Sequence, residues 1–261
     1  VRIILTGYKG FIGSNLLQRL QKENYEVVTY EWGDEFPDIG YDDWVMHLGA
    51  ISSTTETNVE KVMQQNVEYT NQLIELCASR GAHIQFASSA SIYGLKEEFK
   101  EDSPVDPRTP YAWSKYMSER HALKFIPWME NQDQCLQIFR YFNVYGSGEK
   151  HKGSQASPFH QFEKQAKEIG IIKVFENSEN YHRDFIHVDE VIDYHLAFMK
   201  IKKSGIFNIG TGKTKSFLDV AHLTIQKHSA IIQTIAMPDN LKHSYQKYTC
   251  ADMTKTLQAL S

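Results

Sequence analysis

The sequence predicts an α/β protein: a doubly wound parallel sheet with a trimmed first half, joined to a smaller C-terminal lobe. Three observations lead there. A β-rich run, Val1 to Thr6, is followed at once by glycines at 7, 10 and 13 and then by an amphipathic helical pattern. Strand-length apolar runs recur at 25–30, 43–50, 84–89 and 135–142, most of them separated by helical stretches, the alternation that builds a parallel sheet. The gap between the second and third runs is the exception. A crossover with a full helix between parallel strands takes a dozen or more residues, and residues 32–42 leave barely that.

The first run therefore reads as a strand and Phe11 to Leu20 as a helix whose apolar face is Phe11, Ile12, Leu16, Leu17 and Leu20. Between them, Gly7 permits a tight turn, Gly10 lets backbone approach an anion, and Gly13 lets the helix pack close on the sheet. The helix N-terminus then offers N–H groups and positive dipole to a pyrophosphate. This predicts dinucleotide binding by a Rossmann-type first domain. The second strand ends at Glu31, where a carboxylate is expected to accept from a ribose hydroxyl. With no Lys or Arg expected nearby, Glu31 would repel a 2′-phosphate, which favours NAD over NADP; a solvated strand-end carboxylate is the plain alternative.

After the third strand, Ser52-Ser53-Thr54-Thr55-Glu56 is a polar loop on the side where open α/β sheets bind ligands. Residues 59–80 read as one long helix, with Asn66 inside it positioned to bond backbone. Ile84 to Ser89 is the next strand, and its terminal hydroxyls point toward the cleft. Tyr111-Ala112-Trp113-Ser114-Lys115 opens a helix expected to run to about Phe125. At that spacing Tyr111 and Lys115 share a face with Cβ atoms roughly 5–6 Å apart, and an ammonium there is expected to draw the phenol's pKa down. Taken alone, the pair reads as an aromatic residue beside a solvated lysine. Cys135 to Phe142 reads as a strand, followed by a polar segment to Ser157, a helix at 158–169, a strand at 171–175 and a helix at about 189–200. The division expected is 1–146 for the dinucleotide domain and 147–261 for the substrate lobe, interleaved at about 183–210.

Composition narrows the classes. At 41% hydrophobic and 23% charged residues with net charge −4, the chain is an ordinary globular protein without a basic run, so nucleic acid and membranes are not expected partners. Cys77, Cys135 and Cys250 are widely spaced and odd in number, which argues against a disulfide framework or a metal cluster and for a cytoplasmic location. No signal peptide is expected, because residue 1 already begins a strand.

The glycine loop, the Ser88-Ser89 strand end, the Tyr111/Lys115 pair and Arg140-Tyr141-Phe142-Asn143-Val144-Tyr145-Gly146 together resemble the extended short-chain dehydrogenase/reductase family, the nucleotide-sugar epimerases and dehydratases. Four motifs in the right order and context make a plain reading of Tyr111 untenable. The segments Ser52 to Glu56, His151-Lys152-Gly153-Ser154, Phe175 to Asn180 with Arg183-Asp184-Phe185, and Tyr245-Gln246 resemble more narrowly the branch that epimerises ADP-linked glycero-manno-heptose at C6. That resemblance implies tightly bound NAD or NADP, with NADP usual in the branch, a nucleotide-diphosphate sugar as substrate, and a homo-oligomer. It implies catalysis by Ser89, Tyr111, Lys115 and Lys152, with Lys152 as a second base. It implies cofactor contacts at Gly7, Gly10, Phe11, Ile12, Gly13, Glu31, Leu48, Lys115 and Phe142. Substrate contacts are implied at Ser52, Thr54, Ser89, Asn143, Lys152, Ser154, Arg183 and Tyr245.

The chain departs from that pattern between Glu31 and Asp43, where a strand, its helices and an adenine contact are expected to be absent, and after Ser261, where a last helix is. Competing readings are a hexose 4-epimerase, a 4,6-dehydratase, a net oxidoreductase and a non-catalytic dinucleotide-binding protein. The alternation His182, Asp184, His187, Asp189 leaves a metal hydrolase as a remote option. The plain alternatives are a mobile surface lysine for Lys152 and an ion pair with Asp184 or Asp189 for Arg183.

Overall fold

A continuous apolar run, the mark of a strand covered on both faces, puts Ile3, Ile4 and Leu5 wholly inside the molecule, in the first strand, β1 (Arg2–Thr6). A computed structural model describes residues 1–53, 56–239 and 246–261, without the side chain of Ser154. In it β1 is flanked on one side by β2 (Glu26–Tyr30) and on the other by β3 (Trp44–His47), then β4 (His83–Ser89), β5 (Leu136–Tyr141) and β9 (Gly205–Ile209). All five pairings are parallel, in the order β2-β1-β3-β4-β5-β9. The order reverses at β1, so the crevice beyond the carboxyl ends of β1 and β3 is where such a sheet receives a ligand.

Helix α1 (Phe11–Lys22) buries Phe11, Leu16 and Leu20 against one face of the sheet together with α6 (Val188–Ile201). The other face carries α3 (Tyr69–Arg80) and α4 (Pro110–Glu130). The expected helix at 59–80 is instead α2 (Val59–Val62), a π-helical turn (Met63–Glu68) and α3, in unbroken succession. Its Asn66 is fully buried. The Asn66 Oδ1 accepts from the Ile51 N–H at 2.8 Å, and Nδ2 donates to the Ile51 carbonyl and the Ser114 hydroxyl. Helix α4 runs past Phe125 to Glu130, with Thr109 as its N-cap and Pro127 inside its last turns. Packing of Phe125, Ile126 and Met129 on the core holds that extra length, in a case where burial outweighs the local signal of a proline.

Between β2 and β3 there is no helix, only an isolated bridge from Trp32 to Asp34. The connection is nonetheless tied down. Arg2 pairs with Asp43 at 2.5 Å and donates to the Asp38 carbonyl, Ile39 is buried, and Phe36 stacks on Tyr69 at 5.4 Å between centroids.

A second sheet joins β6 (Asn143–Tyr145), β8 (His182–His187), β10 (Thr214–Ser216) and β12 (Tyr248–Thr249) around β8. A third pairs β7 (Ile171–Phe175) with β11 (Ile231–Ile235), beneath α5 (Pro158–Ile169) and α7 (Phe217–Ile225). Of the stretch expected to interleave, β8 belongs to the second sheet, while α6 and β9 return to the first. A short α8 (Thr254–Leu260) packs near β9.

Candidate active site

The glycine turn is shaped for close approach. Gly7 has φ +71°, and a Cβ there would lie 2.5 Å from the Gly49 nitrogen; a Cβ on Gly13 would lie 2.1 Å from the Gly7 carbonyl oxygen. Helix α1 starts at Gly10 with no side-chain cap and no acidic residue in its first turn, so its N–H groups and dipole face outward unneutralised. This cradle fits a dinucleotide pyrophosphate. Around it, Gly7, Gly10, Phe11, Ile12, Gly13, Glu31, Leu48, Ser52, Tyr111, Lys115 and Lys152 line one cavity. The turn brings the Lys9 backbone N–H to Glu31 Oε1 at 3.4 Å, while the Lys9 ammonium lies over the Tyr8 ring, 5.3 Å from its centroid.

A second cavity continues the first. It shares Phe11, Ile12, Ser52, Ser88, Tyr111, Tyr141 and Lys152 with it, and adds Ser89, Phe142, Asn143 and Ser157. Tyr111 and Lys152 thus line both halves, Lys115 the first and Ser89 the second. Phe142, expected against the cofactor, lines the second half; Leu48 lines the first. The Asn143 Nδ2 donates to the Asp184 carbonyl, which fixes the residue at the wall.

Electrostatics at the junction runs against the sequence argument for Tyr111. Lys115 is 2% exposed, with its Nζ 4.9 Å from the Phe86 centroid and 5.9 Å from that of Tyr111. Burial raises the phenol's pKa and outweighs its hydrogen bond with Ser89, which lowers it. Burial also lowers the Lys115 ammonium to about 7, against the pull of Glu119 one turn along the helix. Charge is expensive for both groups here, so proximity to the lysine does not by itself make a phenolate.

Lys152 is half-buried rather than fully exposed. Its segment, a 3-10 turn over Glu149–Gln155, is pinned by the buried Glu149 carboxylate, which accepts from Gly146 N, Ser157 N and Ser157 Oγ. Gln155 Nε2 donates to Ser53 Oγ across the cleft at 2.7 Å. The Lys152 ammonium lies 5.1 Å from the Phe11 centroid, and its pKa is lowered by burial.

Arg183 stands apart from these linings. It donates to the carbonyls of His182 and Gln246 and lies over Phe217, 5.5 Å from its centroid. Phe217 belongs to a third cavity, with Phe175, Tyr181, Phe162 and Gln161, which meets the second at Ala156 and Pro158. Asp184 accepts from Thr211, Gly212 and Ala251. Among the described residues no three His, Cys, Asp or Glu side chains converge as a metal site would require, and no helix is long and apolar enough to cross a membrane. Thr54 and Tyr245 lie outside the described residues. Sequence reasoning passed over Tyr141 and His151 as cleft residues; Tyr141 stood inside the quoted Arg140 to Gly146 motif.

Residues 3–210 match the model of the NAD dependent epimerase/dehydratase family. The chain belongs to that family. It is 38% identical over 287 aligned positions to the ADP-L-glycero-D-manno-heptose-6-epimerase of Brachyspira hyodysenteriae, spanning 97% of this chain and 90% of the relative. That alignment is longer than the 261 residues here, so the relative carries residues where this family member has none. Among solved structures, the Helicobacter pylori enzyme of the same name superposes with a TM-score of 0.85 at 25% identity, covering 99% of this chain and 89% of that one. MoeE5 in complex with UDP-glucose and NAD superposes at 0.81 with 23% identity, over 100% and 92%, a likeness of fold alone. The doubly wound fold with a C-terminal lobe is thus the epimerase/dehydratase fold.

Proposed function

We propose that the protein is an isomerase that inverts a stereocentre of a nucleotide-diphosphate sugar, C6 of an ADP-linked glycero-manno-heptose, by transient oxidation and re-reduction. The observation that carries this reading is the meeting of Tyr111 and Lys152 in one cleft, with pKa values pushed in opposite directions. Paired groups shifted apart are the signature of an acid and a base. Gly7, Gly10 and Gly13 would hold NAD or NADP, which would supply a reversible hydride acceptor for the carbinol carbon. The residues do the rest. Lys152, its ammonium destabilised, takes the hydroxyl proton of one epimer. Ser89 holds the reacting oxygen and Tyr111, kept protonated, supplies a proton as the carbonyl is reduced from its other face. For the reverse direction the two exchange roles. One group on one side cannot serve both epimers, because their hydroxyls point differently.

The heptose assignment rests on the 38% identical relative and on the Lys152 segment. The third cavity, with Phe175, Tyr181 and Phe217, suits a nucleobase, and Arg183 beside it suits the diphosphate. Glu31, standing where a ribose hydroxyl acceptor belongs, favours NAD, and the heptose-epimerase resemblance favours NADP. The testing experiment is incubation with ADP-linked heptose and a panel of UDP- and GDP-hexoses, with NMR of the product stereocentre. Inversion at C6 of the heptose, without net cofactor consumption, is the expected result; inversion at C4 of a hexose instead would replace the substrate assignment. Lys152→Ala should lower the rate by about 10²-fold or more, as loss of an acid/base group does. A harmless Lys152→Ala would remove the second base from the reading.

A further inference from the structure

Away from the cleft, a cavity of about 530 Å³ opens between the ends of β6 and β8, the 3-10 turn at Glu149–Gln155, α5 and α7. It shares no lining residue with the three cavities described above. Its walls gather Lys150, His160, His187, Lys215, Lys227 and His228, in a chain whose net charge is −4. The three lysines come from the turn, β10 and the stretch after α7, so only folding collects them. All three are exposed, and among the described residues none of their ammoniums forms an ion pair. The carboxylates of this region are already engaged. Glu149, 1% exposed, accepts from the Gly146 N–H at 3.0 Å and from the N–H and hydroxyl of Ser157 at 2.6 and 2.8 Å. Glu163 pairs with Lys167 at 2.5 Å and faces His228 at 3.6 Å, and Asp189 faces His187 at 3.4 Å. His187 Nδ1 accepts from the Asp189 N–H at 3.3 Å, so Nε2 carries the proton and is a donor. Tyr145 stacked on Phe159, with centroids 4.1 Å apart, gives the lining a rigid apolar wall. Like charges gathered in a concavity repel one another and focus a field that attracts anions.

We propose that this cavity is a second anion site, outside the cleft, for a small molecule carrying two or more linked phosphate groups. A lone phosphate brings about −1.5 to −2 of charge, less than three ammoniums and an imidazole donor can meet; linked phosphates match them. Lysine places a point charge on a flexible stem, which suits phosphate oxygens without demanding one geometry. Glu149 and Lys150 line this cavity while His151 and Lys152 of the same turn line the cleft, so an occupant touches the segment that carries Lys152.

Inorganic pyrophosphate is the probe, titrated into protein saturated with NADH and ADP and read by NMR of the histidine-labelled chain. The signals of His160, His187 and His228 should move together and saturate. His151, in the cleft, reports any binding there separately, so failure of the epimerase reading and failure of this site are distinguishable. Replacing all three lysines (Lys150→Gln, Lys215→Gln and Lys227→Gln) should weaken the binding by about 10-fold or more, the combined worth of three exposed charge pairs. The Tm of that variant should match wild type, because the three side chains are exposed. If the three histidines stay put, or if the triple variant binds as wild type does, the site is overturned. Orthophosphate binding as tightly as pyrophosphate would overturn the call for linked phosphates. A lower Tm with pyrophosphate binding unchanged would mean that the lysines serve stability alone, Lys227 by complementing the carboxyl end of α7, and would overturn the proposal.

Discussion

Tyr111→Phe is expected to slow epimerisation by roughly 10²- to 10⁴-fold, the usual consequence of deleting an acid/base group. Cofactor binding should survive, because the phenyl ring still fills its place beside Lys115 and only the hydroxyl leaves the wall that Tyr111 shares with Lys152. The variant thus separates chemistry from binding: kcat falls while the NAD(P)H dissociation constant stays within about twofold of wild type. The size of the loss reflects the environment. Burial keeps the phenol protonated in the protein alone, and Ser89 pulls only partly the other way. A water molecule replacing the phenol would have to deliver a proton at a site designed to exclude charge. Stopped-flow measurement of both half-reactions would be the sharper check. Near-normal turnover in Tyr111→Phe would sink the assignment of Tyr111 as an acid/base.

The framework was legible because each part has a local signature. Glycines at 7, 10 and 13 between a strand and an amphipathic helix need no tertiary information, and neither does the shortness of the connection at 32–42. Lys152 was placed by its segment, whose pinning by Glu149 acts over a few residues. What could not be read were relations made only by folding. Lys9 and Glu31 are 22 positions apart and meet through the turn. Tyr141 and His195 are 54 apart, on a strand and a helix, and no spacing rule connects them. The direction of the Tyr111 shift was misjudged for the same reason: helical spacing reveals the neighbouring lysine but not the depth at which both groups sit.

Glu119 carries the second large expectation, this time in stability. Its carboxylate, 1% exposed, pairs with the guanidinium of Arg140, 3% exposed, through two contacts at 3.0 and 2.7 Å, and accepts from the Ser88 hydroxyl. Arg140 also donates to the Tyr93 phenol and the Glu101 carbonyl, and Tyr93 donates on to Asn208. The pair therefore ties α4, β5 and β9 to the segment 93–101. Glu119→Ala would strand a guanidinium that cannot lose its proton, at a cost of about 3–5 kcal/mol. At roughly 2–4 °C per kcal/mol for a domain of this size, Tm should fall by about 6–20 °C. Glu119→Leu combined with Arg140→Met should restore most of that, since replacing both charges removes the stranded one. A loss below about 1 kcal/mol in Glu119→Ala, by urea denaturation, would show that the pair is dispensable. The same carboxylate raises the Lys115 pKa against burial. Removing it should leave Lys115 neutral at pH 7, so whatever folded Glu119→Gln protein remains should need a lower pH to keep Lys115 charged. Loss of stability and an acid-shifted pH profile would then arise from one residue through two separate contacts. The Leu/Met double variant should recover the first without the second.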